Sequence, residues 1–439
     1  MLFRNSEEAL AKGAYERESK ALLEVLNATL RGADAYAAVR HAVRRDGNRI
    51  RIGNRFLMAD KVKEIAFVAA GNAAAPMASA FEDALGSLVT QGILISPEKP
   101  PKELPFIRKE VKDPLLPSAE GAEAAAQALE LAGGLSAGDL LVPLLSPGAM
   151  GMLALPPQEL SLDQYRSIIS AAVDKGVSTA ELVSIARGLS RTQGGRLSES
   201  ARGASVEALV VERGDGGDVV GAGPATPRPR DNGQLARHVL EGMGWWGKLP
   251  KSLQDKVLAP PPTLPSPSQR PMTVTIAGPA DSLDMAGAEA AAYRHRPKLV
   301  ELHYVSRPAE AVKRLMDALE TEARTKPDPK SRGIALFAGL SLGVPEGGEK
   351  AQHIKDFLNE AHGKINRRGV NVAIVYTGGS LRPTVSPSAG IADSMTPPVF
   401  MDLHEGFSDV GTIAVVWWTP EEDRPGKTTS SRKTSKVDK

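Results

Sequence analysis

The sequence predicts an α/β chain: a doubly wound, mostly parallel, Rossmann-like sheet in an N-terminal domain, then a second, smaller α/β domain. Three observations predict it. Strand-sized apolar runs such as Ile65–Ala70 alternate with helix-length stretches. Over the first half the order reads β-α-β-α-β-α-α-β, the signature of a parallel sheet with crossover helices. The 439 residues suffice for two domains at roughly 100–200 residues each, and with 42% hydrophobic residues there is enough apolar material for real cores.

Residues 5–45 read as two helices. Leu10, Leu22, Leu23, Leu26 and Leu30 keep helical spacing, and Tyr36, Val39 and Val43 continue it after a break at Gly32. Ile65–Ala70 is a buried strand that runs through Gly71 into an Ala-rich helix ending near Leu88. Val89–Ser96 is the next strand, 119–134 an Ala/Leu helix, and Asp139–Leu145 a strand closed by a Ser-Pro-Gly turn. Two helices follow, Leu162 to Lys175 and Thr179 to Leu189, the second with Ser178 as N-cap, and then the strand Val206–Glu212. Pro-rich stretches interrupt the pattern at Ala225–Asn232 and at Leu258–Pro271, whose six prolines favour an extended spacer. The expected division is an N-terminal domain at 1–257, a linker at 258–271 and a C-terminal domain at 272–419. In the last of these, strands Met272–Ala277, Leu299–Val305, Ile334–Ala338, Val370–Thr377 and Gly411–Trp418 alternate with helices near 285–294, 308–325 and 349–363. The tail at 420–439 is polar and basic and reads as disordered.

Composition excludes several function classes. There are 54 basic and 52 acidic residues, interspersed, so no basic stripe marks a nucleic-acid surface. With no cysteine, disulfides, thiolate metal sites and Cys nucleophiles are out. The N-terminus has early acids and no apolar core, so a signal peptide is not expected there. No run reaches the ~18 apolar residues of a membrane span. A cytoplasmic location is the expectation.

Five stretches of the first half are rich in glycine, proline and polar residues. They are Ala69-Ala70-Gly71-Asn72-Ala73-Ala74, Lys112-Asp113-Pro114-Leu115-Leu116-Pro117, and Leu144-Leu145-Ser146-Pro147-Gly148-Ala149-Met150. Next come Leu189-Ser190-Arg191-Thr192-Gln193-Gly194-Gly195-Arg196-Leu197, and the segment from Leu209 to Thr226 with Gly214-Asp215 and Gly223-Pro224. In the second half, Ala338-Gly339-Leu340-Ser341, Gly347-Gly348-Glu349-Lys350 and Thr377-Gly378-Gly379-Ser380 through Gly390 continue the series. In order and spacing these stretches resemble the class II glycerate 2-kinase family over about residues 20–418.

That resemblance implies two α/β domains with an active site between them, and transfer of the ATP γ-phosphate to a glycerate hydroxyl with Mg²⁺. It implies a ligand-binding cleft at Gly71, Asn72, Ser146, Gly148, Gly194, Gly195, Gly223, Thr377 and Gly378. The charged candidates for catalysis are Arg187, Arg196 and Asp215. Each has a plainer reading beside it. Gly71-Asn72 also suits a tight β–α turn with an N-cap, Arg196 a structural arginine holding its turn, and Asp215 a turn residue.

The chain departs from the family pattern where charge is needed. Asn72 stands at a lysine position, Asp113 at a histidine and Gln193 at a second lysine. Pro147 removes a backbone donor from the glycine-rich loop, and Ala149 and Met150 add bulk to it. Val183, Ala186 and Gly188 replace Asn, Arg and His; Val210-Val211 replace a Ser-Asp pair; Gly379 and Arg382 replace two aspartates. Phosphoryl transfer depends on positioned charge. The expectation is therefore a non-catalytic binding, regulatory or structural subunit, partnered by another protein or by its own copies. The alternative is an active kinase using ATP and Mg²⁺.

Other constellations carry less. The seven histidines show no metal-ligand spacing with a carboxylate partner, so no metal site is assigned. No G-x-S-x-G elbow supports a Ser nucleophile. Trp417 and Trp418 are adjacent on a strand and must point to opposite faces, which fits packing against a neighbouring unit.

Overall fold

The computed structural model describes residues 16–100, 102–112, 116–201, 203–212, 223–227, 229–260, 271–325, 329–342, 352–376, 388–393, 398–402 and 412–420. Most of the Pro-rich spacer and the tail after Pro420 lie outside them.

The described residues begin with two helices, α1 (Glu16–Gly32) and α2 (Ala35–Ala42), the second capped by the Asp34 carboxylate on the Ala37 N–H. The predicted helix does not extend through Val43. There the chain enters a three-stranded antiparallel meander, β1 (Val43–Asp46), β2 (Arg49–Ile52) and β3 (Arg55–Met58). Gly47-Asn48 and Gly53-Asn54 supply its turns, with both glycines at positive φ.

The first large sheet is built from β4 (Ile65–Ala70), β5 (Val89–Ser96), β6 (Ile107–Glu110), β7 (Leu140–Leu145), β8 (Ser205–Val211) and β9 (Met272–Ala277). Its crossovers include α3 (Ala74–Leu85) and α4 (Ala119–Gly134), then the short α5 (Ala149–Met152), α6 (Leu162–Asp174), α7 (Thr179–Leu189) and α8 (Arg196–Ser200). Between β8 and β9 come α9 (Asn232–Gly242) and α10 (Lys251–Leu258). The starts of α6 and α7 are fixed by full capping boxes, Ser161 with Gln164 and Ser178 with Glu181.

All six strands are parallel, in the order β6-β5-β4-β7-β8-β9. This is the doubly wound Rossmann order, with the progression of strands across the sheet reversing between β4 and β7. β4 and β7 are buried along their whole length, which explains their unbroken apolar sequences. Met272–Ala277, expected to open the second domain, is instead the sixth strand of the first sheet, paired with β8. The Pro-rich stretch interrupts a crossover there. A strand's own sequence does not name its neighbour.

After α11 (Pro279–Ala292) the second sheet begins with β10 (His295–Ser306), α12 (Pro308–Ala323), β11 (Gly333–Leu342) and α13 (Gln352–Lys364). It is completed by β12 (Val370–Tyr376), β13 (Ser388–Asp393), β14 (Val399–Asp402) and β15 (Thr412–Trp418). Its order is β10-β11-β15-β12-β13-β14, parallel only between β10 and β11.

One continuous core joins the inner faces of the two sheets. It runs from Phe67, Leu144 and Leu209 through α1, α3 and α11 to Phe337, Val415 and Trp417. The outer face of the first sheet is covered by α4, α5 and α8, and that of the second by α12 and α13. Helices α6, α7, α9 and α10 form a separate apolar cluster beside the first sheet. The tryptophan pair divides as alternation requires. Trp417 is buried between the layers and stacks on His295 at 3.6 Å, while Trp418 faces the outer side under Arg367.

Candidate functional site

In a doubly wound sheet, ligands bind beyond the carboxyl ends of the strands where the order reverses. Here that point lies between β4 and β7, whose chains continue into Gly71-Asn72 and Ser146-Pro147. The two turns are tied together. Asn72 N–H donates to the Pro147 carbonyl at 2.8 Å, Ala73 N–H to the Ser146 hydroxyl oxygen at 2.9 Å, and Ser146 N–H to the Ala70 carbonyl at 3.0 Å. Gly71 has φ +120°, and a Cβ there would sit 2.3 Å from the Ser146 carbonyl and hydroxyl oxygens. Only glycine allows this approach.

The consequence for chemistry is direct. The backbone donors that an anion would seek at the start of α3 are occupied by the neighbouring turn. Asn72 is half-buried, and its side-chain amide makes no hydrogen bond among the described residues. It remains as a neutral polar group at the crevice. Gly148, with φ +95°, begins the short α5. The bulky residues of that loop do not fill the crevice. Met152 is buried in the outer core of the first sheet, and Met150 packs on the α6–α10 cluster.

The α5 loop is joined to the segment after α7. Leu155 N–H donates to Ser190 Oγ at 3.1 Å, Gln193 Nε2 to the Met150 carbonyl at 3.3 Å, and the Thr192 hydroxyl to the Leu153 carbonyl. Gln193 is fully buried, with its Oε1 lacking a partner among the described residues. The glycine pair comes next. Gly194 and Gly195 have φ +71° and +85°, and a Cβ on Gly195 would lie 2.7 Å from the Pro227 nitrogen. Gly195 N–H donates to the Gly223 carbonyl at 2.9 Å, and Ser198 Oγ to the Ala225 carbonyl at 2.8 Å. Gly71, Asn72, Ser146, Gly148, Gly194, Gly195 and Gly223 are thus linked in one chain of contacts along the carboxyl side of the first sheet. Thr377, Gly378 and Asp215 lie outside the described residues.

The arginines behave differently from a simple phosphate clamp. Arg196 Nη1 donates to the carbonyls of Arg187 (2.7 Å), Ser190 (2.9 Å) and Gln193 (2.7 Å). This anchors the C-terminal end of α7, where a cation is favoured by the helix dipole. Arg187 sits half-buried on the last turn of α7.

Arg196 also lines an open cleft of about 800 Å³, together with Glu159, Arg191, Glu199, Ser200 and Lys256. Arg191, Glu159 and Lys256 were not singled out in the sequence. Lys256 is carried by α10, and it forms an ion pair with Glu159. Its partner's carboxyl is held below the ordinary range, first of all by that hydrogen bond. Among the described residues no group of three or more His, Asp or Glu could hold a metal ion, and no helix is long and apolar enough to cross a membrane.

Comparison with known proteins follows this geometry. Residues 21–258 match the family described as a domain of unknown function, DUF4147. The chain is 26% identical over 234 residues to a glycerate 2-kinase of Pyrococcus horikoshii, covering 53% of this chain and 52% of that protein. It is 32% identical over 186 residues to a D-glycerate 2-kinase of Thermotoga maritima, covering 41% of this chain and 44% of that protein. The matched stretches therefore span about half of these relatives. A crystal structure of a Thermotoga maritima glycerate kinase superposes with a TM-score of 0.73 over 91% of this chain and 99% of that one, at 20% identity, a likeness of fold. With more than half its length matched, the chain belongs to the DUF4147 family.

Proposed function

We propose that this chain is an ATP-dependent phosphotransferase of the glycerate 2-kinase type, moving the ATP γ-phosphoryl group to a hydroxyl of D-glycerate. The observation that carries this reading is the run of matches to proteins named glycerate kinases, beside a family match over residues 21–258, the part of the chain in which the glycine turns converge on the strand-order reversal. In that role Asn72 would donate its amide to a phosphate or carboxylate oxygen, and Ser146 would hold the turn that presents it. Arg196 would keep the end of α7 in place. Mg²⁺ would neutralise the phosphates when bound, but the described residues offer no cluster of carboxylates to ligate it, so no step is assigned through the metal.

A second reading is a ligand-binding or regulatory subunit without turnover. The observation favouring it is the neutral first turn: Asn72 stands where the resembled kinases carry lysine, and a neutral amide does not supply the charge stabilisation on which phosphoryl transfer depends. One experiment separates the two. Purified full-length chain is given D-glycerate, ATP and Mg²⁺, and ADP release is followed. Turnover of about 1–100 s⁻¹ supports the kinase. Turnover at background, with ATP or D-glycerate raising the melting temperature, supports the subunit. Background turnover without any thermal shift refutes both.

A further inference from the structure

The β1–β3 meander is unused by the site, and its composition is unlike the rest of the chain. Residues 40–63 hold eight basic and two acidic residues, so this segment carries +6 while the whole chain carries +2. Cross-strand register sorts these charges. Arg44, Arg51 and Phe56 form one row across the three strands, and Asp46, Arg49 and Met58 the next, all on the same face. The opposite face sends Val43, Ile50, Ile52 and Leu57 into the core between the sheets.

The outward face is open. Phe56 is 78% exposed and Met58 42%. Arg44 and Arg49 make no hydrogen bond or ion pair among the described residues, and Arg51 reaches only the His41 carbonyl. Strand β3 is the edge of its sheet, paired with β2 alone. Its one charged residue, Arg55, is engaged by Glu207, so Phe56, Leu57 and Met58 leave the edge without the charge or Pro that commonly protects one. The other edge, β1, is shielded by Arg44, Arg45 and Asp46.

The meander is also rigidly placed away from the crevice. Asn54 N–H and Arg55 both bind the buried Glu207 carboxylate near the start of β8, at the amino end of the first sheet. The crevice lies at the carboxyl end.

From this we infer that β3 and the arginine face beside it form a docking edge for an acidic, extended segment of a partner protein. Charge complementarity selects the occupant. A second copy docking edge to edge would bring like-charged arginines together, whereas an acidic strand places its carboxylates over them. Strand addition supplies backbone hydrogen bonds to β3, while Phe56 and Met58 offer contact for alternate apolar side chains. Arg49 and Arg51 lie on β2, roughly 10 Å from an added strand, within the combined reach of an arginine and a glutamate side chain.

The probe is a fluorescein-labelled peptide alternating glutamate and valine, titrated against the full-length chain at low salt by anisotropy. Hydrogen exchange of residues 55–58 is measured with and without it. Binding that slows exchange at β3, and that weakens about tenfold in the double variant Arg44→Glu and Arg49→Glu, supports the inference. Phe56→Ser, a change at a largely exposed residue that leaves the core face intact, should weaken it as well. No binding up to about 1 mM peptide overturns it. So does binding without protection of β3, binding unaffected by both variants, or capture by phosphatidylserine vesicles without peptide binding, which would make the patch a membrane surface.

Discussion

Replacing Arg196 by leucine tests whether this residue holds the turn or the ligand. Its Nη1 lies within hydrogen-bond distance of three carbonyls, but one guanidinium nitrogen carries only two hydrogens. At least one contact is therefore shared, and the interaction counts as about two charge-assisted bonds, each worth about 1.5–3 kcal/mol when the partner is buried. The residue is half-buried and water from the adjoining cleft can reach some of the carbonyls, so the expected cost is about 2 kcal/mol. Leucine keeps part of the apolar stem, and lysine at the same place would keep one bond and recover part of the loss. The readout is native-state hydrogen exchange of amides 186–195. A local loss of about 2 kcal/mol speeds exchange about thirtyfold there and leaves α12 and α13 unchanged. If those amides exchange at the wild-type rate while ligand binding is lost, Arg196 belongs to the ligand rather than to the turn, and the structural account fails.

Three further outcomes are expected. Asn72→Lys restores an ammonium at the crevice and should tighten ATP binding about tenfold in an isothermal titration, an unchanged affinity placing the nucleotide elsewhere. Gly71→Ala forces a side chain into the Ser146 carbonyl at positive φ, costing at least about 2 kcal/mol and lowering the melting temperature by several degrees. A melting temperature within one degree of the parent would show that the two turns can part, an outcome the contact at 2.3 Å argues against. His295 is buried against Trp417, donates Nδ1–H to the Tyr293 carbonyl and accepts from the Thr419 hydroxyl, and burial lowers its pKa from 6.5 to about 4. The folded state thus prefers the neutral ring, so this contribution is complete above pH 6.5 and is lost as pH falls toward 4, to an extent of about 3 kcal/mol. His295→Phe should flatten the stability profile across that window in urea titrations.

Much of the architecture was readable because the first sheet writes itself in the sequence. Fully buried parallel strands are continuous apolar runs, and Ser178 announces its helix as an N-cap, which the structure completes as a capping box with Glu181. The meander was not readable by the same means. Its strands are four residues long and arginine-rich, and Val39 and Val43 fall at helical spacing although Val43 already belongs to a strand. The turn pairs Gly47-Asn48 and Gly53-Asn54 were the available signal. The membership of β9 was hidden for another reason. Six prolines before it look like a boundary, and nothing in Met272–Ala277 itself tells which sheet it will join.

The close-approach glycines were readable in the sequence and the side-chain contacts around them were not, and the distinction has a physical cause. A glycine at Gly71 or Gly195 is demanded by the approach of Ser146 or Pro227, whatever occupies the crevice, so such residues mark the fold even if the reaction changes. The roles of Arg196 and Gln193 depend instead on where a few hydrogen bonds end. Arg196 points its Nη1 into three carbonyls, and Gln193 is buried beneath the loop it braces; neither fact follows from the identity of the residue. A retained arginine in a conserved-looking frame is therefore weak support for retained catalysis. Asn72 is a more discriminating position. Its side chain is half-buried at the reversal point and makes no hydrogen bond to the described residues, so substitution there changes what the crevice can hold without changing what holds the crevice.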